Sequence, residues 1–191
     1  MDDHYLNSMD NFISAYYIDK SICKEIIEYH RNNPNKVQGK TGAGEVNTYY
    51  KNSIDCHLED YDLYKRYMVE LQKCVDKYID KYPFCNKAAP WRTVELPNIQ
   101  QYIPPDGGFP NWHYERDRGE GEIGRRMLVY MTYLNDVTDE GETEFYHQEI
   151  RVQPEEGLTL IWPVDWTYTH RGNRSPTQEK FILTGWFNYT K

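Results

Sequence analysis

Apolar residues recur at two different periods along this chain, and the change of period divides it. Near the start, Ile22, Cys23, Ile26, Ile27 and His30 repeat at three- and four-residue spacing, which predicts a helix with one buried stripe. Asp19 or Ser21 can cap it, it runs to about His30, and Asn32-Asn33-Pro34-Asn35 ends it. His30 sits at the edge of the stripe and is read as packing. Ahead of it, residues 11–18 are apolar and aromatic and form either a first strand or a lead-in segment. A second helix is predicted over residues 60–81, with Leu63, Tyr67, Leu71, Cys74 or Val75, and Tyr78 on its buried stripe. Lys65, Arg66, Lys73, Asp76, Lys77, Asp80 and Lys81 form its solvated face, and Pro83 stops it. Between the helices, residues 32–56 are polar, with Gly39, Gly42 and Gly44 close together. No GxxxxGK[ST] pattern is present there, so this stretch reads as a flexible connection or lid rather than a phosphate loop.

From about residue 91 the pattern becomes short strands separated by turn signals. The predicted strands are 92–103, 110–115, 125–135, 143–152, 157–162, 166–171 and 179–189. Met127 to Leu134 is apolar on both faces, as a central strand requires. Residues 136–141 and Pro154-Glu155-Glu156-Gly157 are turns. Helices first and strands after predict a mainly β fold with α: helices packed on a β-sandwich or jelly roll. The domain expectation is one unit over residues 1–191, with 1–90 a helical support region and 91–191 the jelly-roll core.

Composition narrows this further. A chain of 191 residues with 15% aromatic residues, including 18 Tyr, has enough amphipathic bulk to bury a core without staples. Its formal net charge of −8 disfavours a nucleic-acid or anionic-membrane partner. Cys23, Cys56, Cys74 and Cys85 have no CxxC spacing; two are expected in helices and two in loops, all as free thiols in a reducing compartment. The acidic start, Met1-Asp2-Asp3-His4, has no apolar stretch of a secretory signal, and no run approaches roughly 18 apolar residues. The expectation is a cytoplasmic protein with no membrane partner.

The chemistry gathers around Pro110-Asn111-Trp112-His113-Tyr114-Glu115-Arg116-Asp117. On a strand, residues i and i+2 share a face, so His113 and Glu115 can grip one ion. Asp117 is the rival carboxylate. His170, on a distant strand, supplies a third ligand. Two His and one carboxylate on one face of an octahedron leave the opposite face open, as in non-haem Fe(II) oxygenases. Lys180 lies ten residues beyond His170, and a strand out and back brings it near the pocket. A cosubstrate with a remote carboxylate needs such a cation, because a buried unpaired carboxylate is costly. Tyr133 can donate a second hydrogen bond to the same group.

The landmarks now run in order: Tyr102, Gly107-Gly108, His113-Tyr114-Glu115, Tyr133-Leu134-Asn135-Asp136, Gly141-Glu142-Thr143-Glu144-Phe145, Pro154-Glu155-Glu156-Gly157, His170, Lys180 and Trp186. In these, residues 92–191 resemble the double-stranded β-helix of 2-oxoglutarate- and Fe(II)-dependent oxygenases, in the prolyl 4-hydroxylase-like branch. Overall the chain resembles oxygenases encoded by tailed marine phages, which would place it in a host cytoplasm. The resemblance implies Fe(II), 2-oxoglutarate and O₂, with ascorbate as an accessory. It implies His113, Glu115 and His170 as metal ligands, and Lys180 and Tyr133 as holders of the 2-oxoglutarate 5-carboxylate. The implied reaction is hydroxylation of an unactivated C–H bond, of a prolyl residue in a peptide or protein. An oxygenase acting on a free amino acid or other small molecule, and a non-catalytic jelly-roll binding module, are the alternatives. One departure stands out: the family usually has Asp where this chain has Glu115. Another bears on substrate. The nucleic-acid demethylase branch has an Arg six residues past the distal His, where this chain has Pro176.

The remaining candidates have quieter readings. His147 is structural or superficial, and His4 and His57 have no role. Trp112 is expected to face the core, with substrate stacking as the alternative. Trp162 and Trp166 either pack in the core or line the pocket mouth. The charged, Gly-rich segment 116–126 is a solvated turn or a substrate lid, with Arg125 or Arg126 able to contact substrate.

Overall fold

The structure is a computed structural model that describes residues 10–41, 44–87, 89–117 and 119–190. In chain order the elements are β1 (Ser14–Tyr17), α1 (Lys20–Asn32), β2 (Val37–Gln38), β3 (Ile54–His57), α2 (Tyr61–Lys81), β4 (Trp91–Thr93), β5 (Asn98–Tyr102) and β6 (Phe109–His113). Then follow α3 (Gly121–Arg125), β7 (Arg126–Tyr133), β8 (Thr143–Phe145), β9 (Ile150–Val152), β10 (Leu158–Pro163), β11 (His170–Gly172) and β12 (Lys180–Tyr189).

Both long helices begin where a carboxylate can cap them. Asp19 accepts from the Ser21 amide at 2.9 Å and Asp60 from the Leu63 amide at 2.9 Å, each satisfying an amide that the first helical turn leaves open. Their stripes are buried as the periodicity predicts: Ile22, Cys23, Ile26 and His30 on α1, and Leu63, Tyr67, Leu71, Cys74, Val75 and Tyr78 on α2. His30 is a packing residue; its Nε2 lies 2.9 Å from the Ile54 carbonyl and its ring meets Phe181 edge-on.

The strands form two antiparallel sheets. The larger has the order β1-β10-β7-β12-β5-β3-β2, with β4 also pairing β12; the smaller has the order β6-β11-β8-β9. β7 lies between β10 and β12 and buries both faces. Leu128 and Tyr130 join the core beneath the helices, while Val129, Met131 and Tyr133 join the core between the sheets. β12 alternates likewise: Phe181, Leu183 and Phe187 pack under the helices, and Lys180, Ile182, Thr184 and Trp186 line the inner cavity. The fold is a double-stranded β-helix supported by helices. In the Pro154–Gly157 turn, Gly157 has φ +82°, a left-handed conformation that other residues adopt only at a cost.

Several expectations are corrected. Residues 32–56 are not simply a connection: β2 and β3 extend the larger sheet, and Lys51, Ser53 and Asp55 are buried. The signal was hidden because the inward residue of β3 is Asp55, which breaks apolar alternation. The Lys51 ammonium (2.7 Å), the Ser53 hydroxyl (2.6 Å) and the Asn98 amide (3.0 Å) all donate to the Asp55 carboxylate. Cys56 lies on a strand rather than in a loop, and all four cysteines are free. Strand 166–171 is shorter than expected, with a 3₁₀ turn at Trp166–Tyr168 before β11. Segment 116–126 contains the short α3, and its Arg118 lies outside the described residues, as do His4 and Gly42. Among the described residues no helix is long and apolar enough to cross a membrane.

Candidate metal centre

His113 and His170 are far apart in sequence and directly opposite in structure. They are cross-strand partners in the antiparallel β6–β11 pair, with ring centroids 4.4 Å apart. β6 ends at His113, so Glu115 projects from just beyond the strand, its amide donating to the Val164 carbonyl at 3.1 Å. The same-face expectation for His113 and Glu115 holds even though the strand has stopped. One donor atom from each of His113, Glu115 and His170 lies within 4.8 Å of the others, a group able to hold a metal ion.

The orientation of each donor fits that use. Nδ1 of His113 lies 2.8 Å from the Asn111 carbonyl and Nδ1 of His170 lies 2.9 Å from the Tyr168 carbonyl. A carbonyl only accepts, so each Nδ1 carries a proton, and Nε2 is the nitrogen each ring turns to the cluster as its ligand atom. Both Nε2 atoms face the same oxygen, Oε1 of Glu115, at 3.8 and 3.4 Å. Burial, and then the nearby His170, push His113 down to about 3, so it is a neutral donor at any ordinary pH. Burial alone would raise Glu115, but His170, His113 and Arg126 outweigh it and hold the carboxyl at about 2. The donor set is therefore two imidazoles, each with Nδ1 turned to a carbonyl, and one carboxylate, which suits a divalent iron with open positions. Asp117, the rival carboxylate, is exposed and outside the cluster.

A cavity of about 870 Å³ opens over this cluster, and Lys180 and Thr143 are among its lining residues. Lys180 is 3% exposed, and its ammonium donates to the Gly141 and Asn173 carbonyls at 2.8 and 2.9 Å. Among the described residues it has no carboxylate partner, and burial lowers it to about 7. Tyr102, its cross-strand neighbour, places its ring 5.1 Å from the ammonium. Tyr133 is buried nearby but does not line the cavity. Its hydroxyl donates to the Thr143 hydroxyl at 2.6 Å and lies 3.3 Å from the Val152 carbonyl. Thr143, in the Gly141–Phe145 stretch, is thus the hydroxyl nearer the cavity and one that sequence reasoning did not single out.

Trp186, a landmark of the resemblance, and Arg126, read as able to contact substrate, both touch Glu115. Trp186 Nε1 donates to Glu115 Oε2 at 3.0 Å, and Arg126 donates to the Glu115 carbonyl at 3.1 Å. Trp112 is corrected from core to surface: it is 37% exposed, lines the cavity mouth and lies under the Arg171 guanidinium at 4.4 Å. Trp162 is buried and Trp166 exposed, while His57 and His147 are exposed and outside the metal cluster.

A double-stranded β-helix carrying a His–carboxylate–His group at one end of its small sheet defines a class, the non-haem iron oxygenases. Residues 97–188 match the model of the family described as the 2OG-Fe(II) oxygenase superfamily. The chain is accordingly a 2-oxoglutarate-dependent oxygenase, with Fe(II), 2-oxoglutarate and O₂ as its cofactor and cosubstrates. No curated protein matches the sequence. Among solved structures, the chain is similar to the viral collagen prolyl hydroxylase of Paramecium Bursaria Chlorella virus-1 in its 2-oxoglutarate complex. That match has a TM-score of 0.70 and 16% identity over 95% of this chain and 97% of the other. A Pseudomonas putida prolyl-4-hydroxylase matches with a TM-score of 0.71 and 16% identity over 92% of each chain. A Trichoplax adhaerens prolyl hydroxylase, solved with a hypoxia inducible factor oxygen degradation domain peptide, matches with a TM-score of 0.74 and 14% identity. It is covered over 84% of its length, with 94% of this chain.

Proposed function

We propose that this protein hydroxylates a prolyl residue in a peptide or protein, using Fe(II) held by His113, Glu115 and His170 and 2-oxoglutarate held by Lys180. The observation that carries the cosubstrate assignment is Lys180. A buried ammonium satisfied only by two carbonyls calls for an anion, and a dicarboxylic acid anchored at the metal would bring one. Thr143, with Tyr133 behind it, supplies hydroxyl contacts at the same end. When bound, the iron and 2-oxoglutarate supply the oxidising chemistry, coupling loss of CO₂ and formation of succinate to hydroxylation by O₂. The chain's own residues hold and orient. The two Nδ1–carbonyl bonds fix the imidazole tautomers, and the apolar wall of Ile182, Met131 and Trp162 keeps water from the reacting centre.

The peptide assignment rests on similarity to prolyl hydroxylases and on the cavity. At about 870 Å³ it lies near the upper end for small-molecule sites and leaves room beside a five-carbon acid for a chain segment. The test is succinate formation from 2-oxoglutarate with Fe(II), with and without proline-rich peptides, alongside free proline. A 16 Da gain on a peptide prolyl residue is expected. Gain on the free amino acid alone would move the assignment to a small-molecule oxygenase. His170→Ala should abolish turnover while leaving the far-UV circular dichroism unchanged.

A further inference from the structure

Glu115 poses a steric problem that its neighbours answer. A glutamate has one more rotatable bond than an aspartate, and a carboxylate can bind a metal through one oxygen or two. With two imidazoles in the set, a carboxylate binding through both oxygens would occupy a position needed for cosubstrate or O₂. In this structure the two oxygens have separate surroundings. Oε1 faces both histidine Nε2 atoms. Oε2 accepts from Trp186 Nε1 at 3.0 Å and lies 3.8 Å from Arg126 Nη1.

The donors are themselves held. Arg126 Nη1 donates to the Glu115 carbonyl at 3.1 Å, and Nε and Nη2 donate to the two Glu95 oxygens at 3.3 and 3.0 Å. Its guanidinium carbon lies 3.5 Å from the Trp186 ring centroid, so cation and indole brace each other. The Arg126 side chain is 11% exposed and that of Glu115 is 17% exposed, which limits competition from water. One hydrogen bond on the backbone carbonyl, one on Oε2 from the indole and the guanidinium charge 3.8 Å from that oxygen leave the longer side chain little freedom to rotate.

We propose that Trp186 and Arg126 are positioning residues that sequester Oε2 of Glu115, so that this carboxylate presents a metal with Oε1 alone and works in place of an aspartate. The proposal rests on His113, Glu115 and His170 being metal ligands. The test is a mutant cycle read by Mn(II) calorimetry and by the visible absorption of the Co(II)-loaded protein. Trp186→Phe keeps a ring under Arg126 and removes only the donor. In the Glu115 protein it is expected to weaken Mn(II) about tenfold, the scale of losing a ligand's supporting hydrogen bond. The Co(II) spectrum should shift as the second oxygen joins the metal. In a Glu115→Asp background the shorter carboxylate falls short of the indole nitrogen, and the same substitution should leave both readouts unchanged. Arg126→Gln should follow the same background dependence, and melting of the metal-free variants checks that they fold. Equal effects in the two backgrounds, or none in either, overturn the clamp alone. A wild-type protein that takes up no Mn(II) overturns the metal reading and the clamp with it.

Discussion

Lys180 shows how a single residue carries a pH dependence whose sign can be worked out. Burial holds its folded pKa at about 7, below the ordinary lysine value of 10.5. Below pH 7 the ammonium is charged and ready for a carboxylate. Above it the free protein loses the proton, and binding an anion must take one back. Affinity for 2-oxoglutarate should therefore fall between pH 7 and 9, by up to about tenfold per unit in the limit of one linked proton. Calorimetry in two buffers of different ionisation enthalpy should show proton uptake over that range. Lys180→Met should bind weakly and with no such slope; a slope that survives the substitution would assign the titration elsewhere. Stability runs the other way. Between pH 7 and 10.5 the unfolded chain holds the extra proton, so the unliganded fold gains stability as pH rises through that window. Lys180 was legible in sequence because a strand out and back returns it to the cavity that His170 lines. Arg126 was not, because its grip on Glu115 depends on the path of residues 114–125, which no periodicity encodes.

At the scale of elements, what could be read depended on whether one face was apolar throughout. The two helices carry uninterrupted stripes, and their caps fell on Asp19 and Asp60 as the sequence allows. β2 was missed because it is only two residues long, Val37 and Gln38. β3 was missed because its inner face carries charge: Asp55 points inward and is matched by Lys51, with side-chain exposures of 8% and 5%. That pair fastens the turn before β3 to the strand, and Asn98 ties both to β5. Removing one member leaves a buried charge unmatched. Asp55→Ala should cost about 3 kcal/mol in urea unfolding, the usual scale for breaking a buried pair from one side. Replacing both, as Lys51→Met with Asp55→Leu, should recover most of that loss. If the double variant is no more stable than Asp55→Ala, the pair is not the source of the cost.

Across the whole molecule, the larger sheet has two unlike faces and needs both covered. Its inner face borders the cavity and metal cluster; its outer face presents Leu128, Tyr130, Ile161, Phe181, Leu183 and Phe187 to the helices. This explains why β7 is apolar on every side, a feature visible in the sequence before any partner could be named. The layers are also joined by polar contacts, as where the Tyr67 hydroxyl of α2 meets Thr132 Oγ1 at 2.9 Å, itself 2.7 Å from Thr159 Oγ1. Three strands of the larger sheet, β1 at one edge and β3 with β2 beyond β5 at the other, come from the first 90 residues. A division at residue 91 thus cuts through one sheet and strips its outer face. Residues 91–191 alone would expose a large aromatic and aliphatic surface and two unpaired strand edges, the features that drive aggregation. We expect that piece to bind a hydrophobic dye, to unfold without a cooperative transition and to take up no Mn(II). Adding residues 10–90 as a separate polypeptide should restore Mn(II) uptake if the layers re-form the sheet. A cooperative, metal-binding 91–191 would show instead that the β region is a self-sufficient unit and the helices an accessory to it.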